Sequence, residues 1–261
     1  MSRIAPMFDR LRADNRLGLF TYVTVGYPEI DSTPDIAIAL AQAGADLVEL
    51  GIPFSDPLAE GRTVQATSQR ALANGVTVGH CLETAGAIRQ RSDVPLVFMG
   101  YLNPVLAYGV KRFTEHAADA GVDGLIIADL SLEETGELRA ACEGAGLDLI
   151  LFLAPTSTDA RMRLVAEQAT GFIYCISVTG VTGSRQEIGA EVDSLLGRIH
   201  AMTSTPLALG FGLSKPEHLQ SLRGKVDAAI VGSALLDAIG KADGDPAAAG
   251  AGFVAWLREG L

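Results

Sequence analysis

The sequence predicts an α/β chain folded as a closed (β/α)8 (TIM) barrel, with one extra helix at each end. Three observations lead there. Short apolar, β-rich runs alternate with helix-period segments from one end to the other, the mark of a parallel sheet with helical crossovers. These runs number eight within 261 residues, the complement of one barrel. The phrases Ala-Gly-Ala-Asp-Leu (43–47), Ala-Gly-Val-Asp-Gly (120–124) and Ala-Gly-Leu-Asp-Leu (145–149) recur. Each supplies a Gly C-cap and then a strand start, as tight helix-to-strand connections require. A hydrophobic share of 48% with 20% charged residues suits a chain that buries about three quarters of its unfolded surface. One domain over 1–261 is expected.

Taken in order, residues 2–14 form an expected helix that closes the barrel floor before the first strand at 18–24. A helix at 33–43 leads to the second strand, 46–50. Leu47, Val48 and Leu50 are apolar there, as a strand covered by helices on both faces should be. Glu49 interrupts the run. A carboxylate inside an apolar strand costs several kcal/mol unless it is paired or protonated, which points to chemistry rather than packing. The bland alternative is that Glu49 lies near the strand's end and reaches water. The following loop favours chemistry: Gly51, Pro53, Asp56, Pro57 and Gly61 fix its backbone, and ordered loops at the carboxyl ends of barrel strands carry the active residues of this architecture.

Periodicity then predicts helices at 63–74 and 78–90, a strand at 95–100, a helix at 110–120, a strand at 124–128, a helix at 132–145, a strand at 148–153, a helix at 159–169 and a strand at 172–177. Val-Thr-Gly-Val-Thr-Gly-Ser-Arg-Gln (178–186) follows, a Gly/Thr loop of a length typical of lids. Helices at 192–202 and 216–222 flank a strand at 206–210, and the last strand is 228–231. Strand seven ends in Gly210-Phe-Gly-Leu-Ser214 and strand eight in Val231-Gly-Ser-Ala-Leu235, each running straight into a helix. Glycines there let backbone N–H groups converge on an anion at a helix N-terminus, and the loops after strands seven and eight are this fold's usual phosphate site. Tight turns alone account for one glycine in each motif, not for the paired Gly-x-Gly and Gly-Ser. An amphipathic helix at 245–259 carries Phe253, Trp256 and Leu257, with Trp256 expected in the core.

Composition excludes several classes of function. A net charge of −11 opposes non-specific binding to nucleic acid or acidic membranes, so an anionic ligand must be held by backbone dipoles. Three cysteines without CxxC spacing fit neither a disulfide framework nor a zinc site and read as small buried hydrophobes. His80, His116, His200 and His218 fall in or beside helices with no second histidine at metal spacing, so no metal site is expected. The Glu133–Glu134 pair and Arg161/Arg163 read as helix surface. No uncharged 18-residue apolar run and no signal-peptide pattern occur, so a cytoplasmic protein is expected.

Residues 46–65, Tyr22-Val-Thr-Val-Gly-Tyr-Pro28, Gly180-Val-Thr-Gly183, Gly210-Phe-Gly212 and Gly232-Ser233 resemble, over the whole chain, the motifs of the tryptophan synthase alpha subunit family. The resemblance implies a lyase that cleaves indole-3-glycerol phosphate to indole and glyceraldehyde 3-phosphate. It implies no cofactor in this chain and a pyridoxal-phosphate-containing beta subunit as partner in an alpha2beta2 heterotetramer. By the same resemblance Glu49 is the acid/base and Glu60 the carboxylate that meets the indole N–H. Tyr22, Met99, Ile126, Tyr174 and Phe211 line the indole pocket, Gly183, Gly212, Gly232 and Ser233 hold the phosphate, and Asp129 lies in the loop facing the partner. Three departures stand out. Glu60 replaces the usual aspartate, Arg62 the usual proline two residues on, and Ser131 the proline after Asp129-Leu130. One extra methylene moves a carboxylate by more than a bond length, and misplacement of that order can cost about a hundredfold in rate. Arg62 removes a stiffening proline and is a candidate ion-pair partner for Glu60. Two rival readings follow: a catalytically weak chain that mainly activates the beta subunit, and another phosphate-binding barrel such as a sugar-phosphate isomerase or an epimerase. The epimerase needs metal-ligating histidines at strand ends, where this sequence has none.

Overall fold

Eight parallel strands pair in chain order and close on themselves, β1 (Gly18–Thr24) against β8 (Ala228–Val231), in a computed structural model that describes residues 2–176, 190–210 and 212–261. Between them lie β2 (Leu47–Gly51), β3 (Leu96–Gly100), β4 (Gly124–Ile127), β5 (Asp148–Leu153), β6 (Ile173–Ile176) and β7 (Leu207–Gly210). The helices, in chain order, are α1 (Ile4–Ala13), α2 (Thr33–Gln42), α3 (Arg62–Ala73), α4 (Val78–Arg89), α5 (Leu102–Tyr108), α6 (Val110–Asp119), α7 (Gly136–Ala145), α8 (Asp159–Gln168), α9 (Ala190–His200), α10 (Pro216–Gln220), α11 (Ser233–Gly240) and α12 (Pro246–Arg258). The predicted barrel with two terminal helices is the one found.

Differences are local. The helix expected over 132–145 is split into a 3-10 turn, Leu132–Glu134, and α7. Buried Thr135 causes the break, since its hydroxyl donates back to the Leu132 carbonyl at 2.8 Å and Gly136 follows. Helix α5 falls in the stretch between 100 and 110 to which the sequence reading assigns no element. Pro104 falls in the first turn, where no intrahelical donor is lost, and Gly109 ends the helix with φ +97°. Trp256 is not in the core. It is 42% exposed beside Phe253, because α12 turns Gly250, Val254 and Leu257 inward against α2 and α11. Gly44, Gly121 and Gly146, the glycines of the three recurring phrases, all have positive φ, as left-handed helix ends demand.

The floor is closed as expected. Ile4, Met7, Phe8 and Leu11 of α1 enter the amino-terminal end of the barrel, where Phe8 meets Phe20 and Phe172 at ring separations of 5.7 and 6.1 Å. Aspartates pin the strand starts around this end. Asp46 Oδ2 accepts the Leu19 N–H, Asp123 Oδ2 that of Leu96, and Asp227 Oδ2 that of Leu207, each at 2.9 Å. The same aspartates donate their own N–H to the carbonyls of Leu19, Leu96 and Leu207. Between β5 and β6 the place is taken by Thr170, whose hydroxyl accepts the Leu149 N–H at 2.8 Å. Arginines back the acids: Arg89 and Arg3 each reach Asp123 at 3.1 Å, and Arg16 reaches Asp46 at 3.0 Å.

Candidate active site at the carboxyl end of the barrel

Pairing register decides which side chains enter the barrel. Tyr22 lies opposite Glu49, Glu49 opposite Val97, Met99 opposite Ile126, and Tyr174 opposite Ala208. Paired positions on parallel strands share a face, so one apolar column of the interior is interrupted by a single carboxyl. Glu49 is fully buried, and neither of its oxygens has a hydrogen-bond partner among the described residues. Burial first, and the Glu60 charge second, raise its pKa to about 8. At neutral pH the group is therefore a neutral acid whose proton is hydrogen-bonded to no described residue, which is the state a proton donor requires. The reading in which Glu49 simply reaches water does not hold.

Glu49 faces a cavity of about 140 Å³ bordered by Tyr22, Glu60, Met99, Tyr174, Gly212 and Gly232. A neighbouring cavity of about 330 Å³ shares Glu60, Met99 and Tyr174 with it and runs on between Ile127, Ala128, Phe152 and Ile176. Glu60 thus stands at the junction. It is half-buried, and desolvation raises its pKa to about 7. Its carbonyl accepts the Gln65 side-chain N–H at 2.9 Å and its own N–H is given to Pro57 O at 3.0 Å. Among the described residues no ion pair joins it to Arg62. Arg62 is instead the exposed first residue of α3, where a proline would suit the fixed φ and a cation opposes the helix dipole.

The tyrosines close the walls. Burial first, with the carboxyls Glu49 and Glu60 adding to it, holds the hydroxyls of Tyr22 and Tyr174 well above the usual tyrosine range. Both stay protonated donors at neutral pH. Each lies against a glycine of the next strand. A Cβ on Gly51 would fall 2.1 Å from the Tyr22 oxygen, and one on Gly210 would fall 2.7 Å from the Tyr174 oxygen.

At the opposite rim Gly212, with φ +58°, and Gly232, the residue before α11, border the smaller cavity together with Ser233. The helix N-terminus points its free N–H groups to this side. Ile126 is wholly buried in the inner cluster with Ile150 and borders neither cavity. Gly183 and Phe211 lie outside the described residues. Asp129 is exposed, and its carboxylate accepts the N–H of Leu102 at the start of α5 at 2.8 Å. Arg161, expected as plain surface, borders the larger cavity and pairs with Glu133 at 2.8 Å.

Sequence reasoning did not find Val64, Leu213, Phe152 or Tyr101. Val64 and Leu213 border the smaller cavity, and Phe152 the larger, 5.0 Å from Tyr174. The available signal was position: each lies at or just past the carboxyl end of a strand, or in the first turn of the helix that follows.

Comparison with known proteins adds the family. The family model described as tryptophan synthase alpha chain matches residues 8–255. The chain is 50% identical to the tryptophan synthase alpha chain of Roseiflexus sp. (strain RS-1) over 260 residues, 99% of this chain and 100% of the relative. It is 47% identical to that of Chloroflexus aurantiacus, over 99% of this chain and 97% of the relative. Among solved structures it is similar to tryptophan synthase subunit alpha from Legionella pneumophila, with TM-score 0.92 at 32% identity, covering 100% of this chain and 98% of that one. A structure of Mycobacterium tuberculosis tryptophan synthase gives TM-score 0.92 at 35% identity, over 100% and 98% of the two chains.

Proposed function

This chain belongs to the tryptophan synthase alpha chain family, and from that premise we propose how its barrel mouth performs the lyase reaction, retro-aldol cleavage of indole-3-glycerol phosphate to indole and glyceraldehyde 3-phosphate. The single observation that carries the assignment of roles is Glu49, a buried, protonated carboxyl that faces a cavity and has no hydrogen-bond partner among the described residues. Glu49 gives its proton to C3 of the indole ring. The carboxylate left behind takes the proton of the glycerol hydroxyl next to the breaking bond, and as that hydroxyl becomes the aldehyde the bonding pair returns to the ring. The acid is regenerated and no proton is gained or lost overall. Positive charge developing on the ring nitrogen is met by Glu60, whose carboxyl is already partly desolvated at the junction of the two cavities. The ring lies against Tyr22, Met99 and Tyr174, with Phe211 added by the family pattern.

The phosphate is held at the other rim by the backbone of Gly212, Gly232 and Ser233, with Gly183 as the fourth contributor. A chain of net charge −11 uses peptide dipoles there rather than a cluster of basic side chains. The family implies a beta-subunit partner. We infer an alpha2beta2 assembly with pyridoxal phosphate in the beta subunit only. Leu58, 90% exposed in the loop before Glu60, and Leu106, 50% exposed on α5, offer apolar surface at this end for that partner. Among the described residues no helix is long and apolar enough to cross a membrane. A cytoplasmic location fits a soluble phosphorylated substrate.

The rival reading, a weak chain that serves mainly to activate its partner, is not favoured: Glu49 and Glu60 both border the cavity. The deciding experiment is turnover of indole-3-glycerol phosphate by the chain alone and with a beta subunit, for wild type, Glu60→Asp and Glu60→Asp/Arg62→Pro. Wild-type turnover with no gain on restoring aspartate is expected, because the loop is adjusted to the longer side chain. A large gain in either variant would promote the rival.

A further inference from the structure

Loop 52–61 carries Glu60, and with arginine rather than proline at position 62 its end must be fixed by other contacts. Within the loop the hydrogen bonds are local: Leu58 N–H to Asp56 O at 2.9 Å, and Glu60 N–H to Pro57 O at 3.0 Å. Such bonds shape the tip; beyond it the Ile52 N–H is given to Met99 O of β3 at 2.8 Å at the loop's start, and the Gln65 side-chain N–H to Glu60 O at 2.9 Å at its end. Gly61, the N-cap of α3, provides no side-chain cap, and Arg62 at the first helical position forms no ion pair among the described residues. The side chain that reaches from the barrel to the middle and tip of the loop is Tyr101. It stands directly after β3, is 5% exposed, and its oxygen accepts the Ala59 N–H at 2.9 Å, one residue before Glu60. Its ring stacks on Phe54 at the other end of the same loop, with centroids 5.2 Å apart and planes 29° apart. One side chain therefore grips the loop at both ends. Burial first, and the Glu60 charge next, raise the Tyr101 pKa to about 12, so the hydroxyl stays neutral in the working range and lies within the field of the Glu60 carboxyl.

We propose that Tyr101 is a positioning residue for the cleavage reaction: its hydroxyl bond to Ala59 and its stack on Phe54 hold the 52–61 loop so that the Glu60 carboxyl faces the junction of the two cavities. This rests on the role given above to Glu60. Tyr101 does not border the substrate cavities, and it acts through the loop. The bond is a neutral backbone-to-phenol hydrogen bond in a partly dry place, strong enough to select one loop geometry from several. Its loss lets the carboxyl wander by a distance of the order of an ångström, which is enough to cost about ten- to a hundredfold in rate. The phosphate lies at the opposite rim, so substrate binding should be spared.

The test uses the full chain with a beta subunit and follows indole-3-glycerol phosphate turnover in Tyr101→Phe, which keeps the ring and its stack, in Glu60→Gln, and in the double variant. Expected for Tyr101→Phe are a roughly tenfold or greater fall in kcat, a KM within about twofold of wild type, and an altered acid limb of the pH profile. In the Glu60→Gln background the same change should add less than about twofold, since both act through one group. Adding Arg62→Pro to Tyr101→Phe should restore part of the lost kcat by stiffening the same loop from its other side. Full multiplication of the two losses, or no loss in Tyr101→Phe, overturns the proposal while leaving Glu60 in its role. A harmless Glu60→Gln overturns both, and that pattern is distinct. Thermal unfolding of each variant identifies loss of fold: a variant with a wild-type Tm and the fall in kcat supports the proposal. Should Tyr101→Phe unfold, Phe54→Leu, which removes the stack alone, must reproduce the kcat loss at unchanged KM, and failure to do so overturns it.

Discussion

The hydroxyl of Tyr22 lies where a side chain on Gly51 would have to stand, with a built Cβ 2.1 Å from the oxygen and 2.5 Å from Cζ. Tyr22 is also the register partner of Glu49, two residues before that glycine. A residue larger than glycine at 51 must therefore push the ring into the cavity. Gly51→Ala is expected to lower stability by about 1–3 kcal/mol through overpacking and to reduce turnover with it. Tyr22→Leu removes the obstructing ring, so the double variant should be more stable than the two single losses predict. Denaturant unfolding of the four proteins checks this, and strict additivity would show that some other group is displaced.

Glu49→Gln should lower turnover by at least roughly a hundredfold while leaving phosphate-ligand binding intact. The same substitution has a stability signature with a definite sign. The folded-state pKa of Glu49 is raised from 4.5 to about 8, so the folded protein holds a proton that the unfolded chain releases. This group's contribution is fully present below about pH 4.5 and is lost as pH rises through about 8. Glutamine removes the dependence. The variant should gain in Tm relative to wild type as pH is raised across that window, and a constant Tm difference from pH 4 to 9 would contradict a buried, protonated Glu49.

The two carboxyls also set the pH profile of the reaction. Glu60 must be ionised to meet the ring nitrogen and titrates near 7, while Glu49 must be protonated and titrates near 8. They interact, so kcat/KM should be a narrow bell whose limbs belong to the pair. Glu60→Gln removes the acid limb. It also takes away the charge that helps raise Glu49, and the remaining basic limb should move to lower pH. A basic limb unmoved by Glu60→Gln would separate the two groups electrostatically.

Gly212 and Gly232 should respond differently to alanine. At Gly212 no described residue lies within 4 Å of a built Cβ, but φ is +58°, a left-handed conformation that costs an L-residue about 1–2 kcal/mol. At Gly232 the Cβ would meet Tyr22 Cβ at 3.4 Å, an ordinary contact, and φ is negative. Gly212→Ala is therefore expected to raise KM for indole-3-glycerol phosphate several-fold at nearly unchanged kcat, and to weaken the thermal shift given by glyceraldehyde 3-phosphate. Gly232→Ala should have the smaller effect, and the reverse order would mean that the Gly212 backbone is not a phosphate donor.

What was legible in the sequence followed from local chemistry. Glu49 stood out as the one acid in an apolar strand, and the barrel followed from eight such strands with Gly-ended helices between them. What escaped depended on partners far away in the chain. The first turn of helix α5 gives its Leu102 N–H to Asp129, 27 residues later. Tyr101 gains its importance from Ala59, 42 residues earlier. Apolar character alone could not tell Ile126, sealed in the inner cluster, from Phe152, which reaches the cavity. Amphipathicity likewise marked α12 without saying that Trp256 would fall outside its inward face.

The aspartates at the strand starts have a consequence for how this protein can change. They stitch β1 to β2, β3 to β4 and β7 to β8, and Thr170 does the same for β5 and β6, so the barrel is fastened as four two-strand staves. Every one of these stitches lies at the amino-terminal rim, below Glu49 and at the far end of the strands from the loop that carries Glu60. The reacting end is thereby free to drift. A longer acid at 60 and an arginine at 62 alter the mouth of the vessel without loading any of its hoops.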